Sequence, residues 1–453
     1  KKLWHRHVHL VNGRAKVAEQ YPPALVRAIL RTLRKILLRR GQISAAELMH
    51  GGPTAEMPEV WQDPEYARYY DDVTGAILPT ESTKEARKLE MDWVLKEKLY
   101  EYVPRKEATD KGAKPIPLLW LDINKGDEAN VDIRSRLVVR ERTKGKNARP
   151  ALAPEELFSA MPPLEALKLL MSLKSSLKTS KRGKQLLIVH FDISRAHFMP
   201  KAERDVYVEI PDEDPAKKPE LIGKLLRTWY GTQDASNLWQ KHYTDLISKQ
   251  DYRPGVSNRA VFYSPSQDAR MLVHGDDFVL LADEDAANAM LKLLQTAYKV
   301  KEVARIGYGS QPQEAVILNR IVRYVPKGQN GLPCMELEAD NRHVQLLIDD
   351  LVATAKPVDT PRVKHSEAEI WKGYDSENLN RADVTRYRSN TMRLSYLGQD
   401  RVDIQEATKA LAQKMSDPSE FDLSQLKRTA RYLKRYPRAV LVYPQQSMPW
   451  KVD

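Results

Sequence analysis

Cysteine is nearly missing from this chain: Cys334 is the only one in 453 residues. A disulfide framework is therefore excluded, and so are zinc ribbons and knuckles, which need paired thiolates. Long apolar runs are missing too. No stretch approaches the ~20 residues needed to cross a bilayer. The basic start, Lys1-Lys2, leads into polar, histidine-containing sequence rather than a signal-peptide core. Internal repeats and long low-complexity segments are absent as well. Together these absences predict an intracellular chain with no membrane partner.

What is present suits a folded chain with a polyanionic partner. Hydrophobic residues make up 42% and charged residues 30%, as in soluble globular proteins. The length exceeds one ordinary core and predicts two to four packed units. With 73 Lys+Arg against 61 Asp+Glu the net charge is +12. That balance favours nucleic acid while leaving many acids for local chemistry.

Periodicity organises the chain. Residues 24–40 read as a helix with Leu25, Ile29, Leu33, Ile36 and Leu37 on one face and arginines opposite. That basic face suits solvent or an anionic surface. His5, His7 and His9 alternate as along a strand, but no neighbouring carboxylate or cysteine completes a metal shell. A helix is expected over 83–99, strands over 116–123 and 136–140, a basic loop over 141–154, and a helix opened by Pro163. Strands follow at 186–192 and 206–210, with helical patterns at 221–226 and 235–247. Residues 271–281 read as a hairpin, 284–298 as a helix, and the C-terminal third as mostly helical.

Carboxylates at two strand ends draw attention. Asp192 closes the apolar run Leu186-Leu187-Ile188-Val189, where a charge is unwelcome without compensation. Asp276 and Asp277 follow His274-Gly275 between apolar flanks, and Gly275 permits a sharp turn. Taken alone, Gly-Asp-Asp also suits an ordinary polar turn. If the strands are neighbours, three carboxylates converge and stay ionised together only around a cation, for which Mg²⁺ is the natural candidate. Such an arrangement matches two-metal nucleotidyl transfer.

The motif order resembles the reverse transcriptase region of copia-type retrotransposon Pol polyproteins over roughly residues 83–443. Arg134-Ser135-Arg136-Leu137-Val138-Val139-Arg140 is similar to that family's basic fingers strand, and Glu156-Leu157-Phe158-Ser159-Ala160 to its E-T-F-S-P segment. Phe191-Asp192-Ile193-Ser194-Arg195-Ala196 resembles the first catalytic motif. Trp229-Tyr230-Gly231 with Trp239 resembles the L-Y-G-L-K-Q segment and its tryptophan, and His274-Gly275-Asp276-Asp277 stands where the family has Y-V-D-D. The segments around Tyr387-Arg388, Asp400-Arg401 and Tyr432-Leu433 resemble the connection before ribonuclease H. Three positions depart from the pattern: His197 replaces Phe or Tyr, His274-Gly275 replaces Tyr-Val, and Asp234 replaces Gln.

The resemblance implies an α+β right-hand polymerase. It carries a basic extension (1–82), fingers (83–184), palm with antiparallel sheet (185–325), helical thumb or connection (326–440) and a truncated ribonuclease H-like start (441–453). Its implied activity is RNA-directed DNA polymerisation, with a decayed nucleic-acid-binding protein or a metal-dependent nuclease as alternatives. Asp192, Asp276 and Asp277 are implied as catalytic, metal-ligating residues for two Mg²⁺ ions, with Mn²⁺ as a substitute. Arg136, Arg140, His197 and Asp234 are expected at the nucleotide. Lys427, Arg428, Arg431, Lys434 and Arg435 form one side of a helix over 422–435, capped by Asp422, and suit either solvent or a duplex backbone. Implied partners are an RNA or DNA template with primer, deoxynucleoside triphosphates and other Pol or Gag products. The implied location is a cytoplasmic virus-like particle or the nucleus.

Overall fold

A computed structural model describes residues 69–126, 130–143, 151–177, 179–364, 366 and 379–446. The expected helix at 24–40, His5, His7 and His9, and the end of the ribonuclease H-like start lie outside these residues. The chain forms two units, one of residues 1–157 and 197–238, the other of 158–196 and 239–453. Among the described residues no helix is long and apolar enough to cross a membrane.

In the first unit, strands β1 (Tyr69–Tyr70) and β2 (Ile77–Leu78) pair, and helix α1 (Thr80–Lys96) follows. β3 (Tyr100–Pro104) precedes the short helix α2 (Arg105–Asp110) and the antiparallel hairpin of β4 (Leu118–Asn124) and β5 (Ile133–Val139). Helix α3 spans Pro154–Leu157. Met91 and Val94 of α1 enter a core with Leu137, Val139, Phe198 and Trp229. The segment expected to be helical at 221–226 is instead strand β8 (Leu221–Leu225), lying between β3 and β7 (Tyr207–Val208). Its apolar residues fall at spacings of one, three and four, which a short helix and a buried strand share. Gly223 decides for the strand. A Cβ there would stand 2.9 Å from the Tyr100 ring and 3.0 Å from Val208, so only glycine lets the three strands close up.

The second unit is built on a six-stranded antiparallel sheet. Its strands are β6 (Leu186–Ile193), β9 (Arg253–Pro254), β10 (Val261–Ser264), β11 (Ala269–His274), β12 (Asp277–Asp283) and β13 (Val300–Ile306), in the order β13-β6-β12-β11-β10-β9. β6 is flanked on both sides and buries Leu186 through Phe191, as its unbroken apolar run requires. Helix α4 (Leu164–Ser176) lays Leu167, Leu170 and Met171 into the core under this sheet. Helix α5 (Ala235–Ser248) brings Trp239 and Tyr243 against Phe278. Helix α6 (Glu284–Gln295) starts at Asp283, whose side chain accepts the Ala286 N–H at 3.1 Å.

The C-terminal third is less helical than its pattern suggests. A second antiparallel sheet joins β14 (Gln313–Ile317), β15 (Arg320–Val325), β16 (Cys334–Ala339) and, about a hundred residues later, β17 (Val440–Pro444). Between the last two, α7 (Arg342–Val352), α8 (Arg381–Leu397), α9 (Gln405–Ala412) and α10 (Glu420–Arg435) pack around Leu347, Tyr387, Leu394, Leu426 and Leu433. The cap of α10 is Ser419 rather than Asp422. Ser419 and Asp422 form a reciprocal capping box, in which Asp422 accepts the Ser419 N–H at 2.9 Å.

One buried acid makes this unit sensitive to pH. Glu338 on β16 is 1% exposed and accepts from Arg438 at 2.6 and 2.8 Å, Arg323 at 2.7 Å and Asn341 at 3.0 Å. The Arg438 guanidinium, helped by Arg323, holds its carboxyl at about 2 against an ordinary 4.5. A depressed folded value gives stability that is complete above 4.5 and drains away as pH falls toward about 2. The shift corresponds to about 3 kcal/mol at neutral pH. Glu338→Gln should therefore be less stable than the parent above pH 5, and the two should converge near pH 2 in denaturant titrations. Curves that stay parallel across that window would show that Glu338 carries no such linkage.

Candidate active site

Sheet register places the acids. Asp277 lies directly across from Asp192, Val279 from His190, and on the outer sides Lys301 faces Asp192 and His274 faces Asp277. Directly opposed residues in antiparallel strands share a face. His274, Asp277, Asp192 and Lys301 therefore form one rung across four strands. Two like charges side by side repel.

The turn between β11 and β12 has two residues, Gly275 and Asp276, closed by the pair His274–Asp277. Gly275 has φ +66° and Asp276 is not left-handed, the pattern of a type II′ hairpin with glycine first. A Cβ at Gly275 would meet nothing within 4 Å, so the backbone angle, not space, calls for glycine. The turn is pinned twice. Trp239 Nε1–H donates to the Gly275 carbonyl at 2.8 Å, and the Ile193 N–H donates to the Asp276 carbonyl at 2.9 Å. Trp239 itself is clasped edge-on by Tyr243, Phe278 and Tyr298.

The donor set suits a hard cation in part. Asp192 and Asp277 present carboxylates side by side, yet among the described residues no three His, Cys, Asp or Glu side chains gather as a cation-holding group. Mg²⁺ is commonly held by only one or two carboxylates, with substrate phosphates and water completing its shell. The pair fits that mode.

Two features here have no counterpart in the motif pattern. His190, 5% exposed, places Nε2 2.7 Å from Asp277 Oδ1. The only sequence signal is its spacing, two residues before Asp192 and hence on the same face. The second is a cavity of about 510 Å³, whose lining includes His190, His274, Asp277, Leu318, Arg320 and Tyr396. Leu318 and Asn319 form the two-residue tip of the β14–β15 hairpin, at φ +49° and +59°. Left-handed leucine is strained, and the tip is held by Arg320, which bonds the Leu318 carbonyl at 2.8 Å, Asp400 at 2.8 Å and Gln399 at 3.1 Å.

The remaining candidates fall in separate places. Arg136, Arg140, His197 and Asp234 belong to the first unit, the three aspartates to the second. Arg136 lies on β5 with its guanidinium 5.2 Å from the Tyr230 ring, and His197 meets the same ring edge-on at 5.1 Å. The structure thus gathers these two on one aromatic. Arg140 is exposed just beyond the end of β5. Asp234 is 8% exposed and receives Arg204 at 2.9 and 3.1 Å, while Arg204 also grips Glu141 at 2.8 and 2.6 Å. Its carboxylate is therefore committed within the protein.

Four basic residues of α10 bind the protein itself. Arg428 reaches Thr360 at 2.9 Å, Arg431 the Lys356 carbonyl at 2.6 Å, Lys434 the Ala353 and Ala355 carbonyls at 2.7 and 3.1 Å, and Arg435 pairs with Asp359 at 2.7 Å. This face is a clamp on residues 353–360 rather than a bare basic surface. Lys427, half-buried, lies on the same helix.

Residues 98–309 match the family described as reverse transcriptase (RNA-dependent DNA polymerase). The chain is 27% identical over 306 residues to the retrovirus-related Pol polyprotein from transposon RE1 of Arabidopsis thaliana, covering 66% of this chain and 19% of that one. It is 23% identical over 335 residues to the Pol polyprotein from transposon TNT 1-94 of Nicotiana tabacum, covering 72% and 23%. The chain thus spans about a fifth of the polyproteins it matches. A foamy viral protease-reverse transcriptase solved in complex with dsDNA aligns with a TM-score of 0.43 at 12% identity, over 83% of this chain and 63% of that one. These sequence matches agree with the resemblance read from the motifs.

Proposed function

We propose that this chain, whose residues 98–309 match the reverse transcriptase family, is an RNA-directed DNA polymerase that extends a primer on an RNA or DNA template. The observation that carries the reading is the opposition of Asp192 and Asp277 at the end of the sheet, beside Asp276 in a pinned turn. Asp192 and Asp276 would hold two Mg²⁺ ions, or Mn²⁺ in their place, with Asp277 completing the acidic centre. Bound there, the ions supply charge stabilisation for attack by the primer 3′-hydroxyl and for the departing pyrophosphate. The protein's own part is to fix the acids. Trp239 and the Ile193 amide hold the turn, and β6 holds Asp192 at its end.

In the first unit, Arg136 and Arg140 would take the triphosphate by bidentate contacts. Asp234, through Arg204, would set the local charge. Lys427 and its basic neighbours would steady the α10 region toward the duplex. Other Pol or Gag products would supply the remaining steps of the element's cycle, in a cytoplasmic particle or the nucleus.

Product analysis separates this reading from its competitors. A labelled primer on an RNA template, given deoxynucleotides and Mg²⁺, should lengthen. A shortened template would mark a nuclease, and binding without either product a repurposed nucleic-acid-binding protein. Binding itself should weaken with salt, by a slope of about −0.9 per phosphate neutralised on a B-form duplex.

His197 tests nucleotide selection. The family places an aromatic ring at this position, against the sugar of the incoming nucleotide, where a 2′-hydroxyl collides with it. Imidazole is smaller and offers a hydrogen bond to that hydroxyl. One altered steric contact is worth roughly 10–200-fold in relative efficiency. His197→Phe should raise the preference for deoxynucleotides over ribonucleotides by that order, with the deoxynucleotide rate little changed. Equal ratios in single-nucleotide incorporation would remove His197 from the gate.

A further inference from the structure

The strand β6 is apolar from Leu186 to Ile193 except for Asp192 and His190, and His190 is the more deeply buried of the two. Its Nε2 lies 2.7 Å from Asp277 Oδ1, while its Nδ1 is buried with no hydrogen-bond partner among the described residues. Facing a carboxylate oxygen, Nε2 serves as the donor of this bond. Leaving Nδ1 bare in the interior is a cost that valine or leucine would avoid at this position. Among the described residues, the bond to the acid is the one hydrogen bond of the ring that sets that cost off. Val279 and Ala304, the cross-strand neighbours of His190, offer no polar side chain.

We infer that His190 is a positioning residue for the metal site: by holding Oδ1 of Asp277 it fixes the carboxylate so that Oδ2 is the oxygen presented to a divalent cation. The inference rests on the polymerase reading and deepens it, because groups that orient a ligand from behind commonly govern metal affinity. Glutamine keeps an N–H donor on a side chain of similar reach, whereas leucine fills the space without one.

The test uses Mn²⁺ alone as probe, titrated into the full chain bound to a primer–template and read by the electron paramagnetic resonance of the free ion. His190→Leu should weaken Mn²⁺ binding by roughly 10–100-fold. His190→Gln should stay within about threefold of the parent, the smaller loss expected where the hydrogen bond is kept. In primer extension, the Mg²⁺ concentration for half-maximal rate should rise in His190→Leu while the rate at saturating Mg²⁺ largely recovers. A merely structural role would lower the folded fraction and leave that midpoint in place. Equal Mn²⁺ affinity in the parent and His190→Leu, with Asp192→Asn weakened, would overturn the inference and spare the polymerase reading. Parent binding no tighter than Asp192→Asn would overturn both.

Discussion

Replacing Asp192 with asparagine is expected to lower primer extension by several orders of magnitude while leaving duplex binding nearly intact. Asparagine keeps the size and shape of the side chain at the end of β6 and removes the charge that a cation would meet. Metal charge stabilisation is worth several kcal/mol in the transition state, and each ~1.4 kcal/mol is tenfold in rate. Asp277→Asn should act in the same direction, because the two acids stand directly opposite each other. The fold offers an internal control. Asparagine keeps the shape of the side chain between Asp277 and Lys301, so Asp192→Asn should stay folded under the assay conditions in a metal-free thermal melt. A large loss of activity together with unchanged melting and unchanged binding places the effect in the chemistry. Near-parental extension by either variant would remove these residues from the active centre.

The second large effect concerns Arg320, which lines the cavity beside Asp277. The Arg320 side chain is 9% exposed and pairs with Asp400, whose side chain is 2% exposed, at 2.8 Å. Arg320 also stacks on Tyr396 at 5.4 Å, and Lys168 approaches Asp400 at 3.4 Å. Asp400→Ala leaves a buried guanidinium without its carboxylate, a change that costs about 3–5 kcal/mol. Against a total of roughly 5–15 kcal/mol, the variant should melt far earlier. The left-handed tip at Leu318 and Asn319 should loosen with it. Replacing both partners together, Arg320→Met with Asp400→Leu, removes the unpaired charge and should recover much of the loss, as apolar substitutes for buried ion pairs often do. If the double variant is as unstable as Asp400→Ala, the pair's charge is not what the fold depends on.

Local pattern made the six-stranded sheet legible. The unbroken apolar run of β6 marks a strand covered on both sides, and Gly275 before Asp276-Asp277 marks a tight hairpin. The convergence of the three carboxylates was expected on the condition that the two strands are neighbours, and the register then sets Asp277 against Asp192. The α10 stripe was legible for the same reason, since Leu423, Leu426, Ala430 and Leu433 recur at helical spacing and all are buried.

What was not legible depends on residues far apart in sequence. β8 looks helical until Gly223 meets Tyr100 and Val208. β17 pairs with β16 across about a hundred residues, which no local window contains. The basic side of α10 reads as a solvent or nucleic-acid face, yet the 353–360 segment returns to lie on it. The spacing of His190 from Asp192 does not mark it by itself, because a lone histidine in an apolar strand acquires meaning only once β12 brings Asp277 beside it.

Single-nucleotide incorporation tests the central claim most directly. The full chain would be mixed with an RNA template, an annealed DNA primer and Mg²⁺, and given the four deoxynucleoside triphosphates one at a time. The account predicts that the primer grows by one nucleotide only with the complementary deoxynucleotide, releases pyrophosphate in equal amount, and does neither when Asp192 is replaced by asparagine. A primer that is bound but not extended by any of the four, in Mg²⁺ or in Mn²⁺, would contradict it.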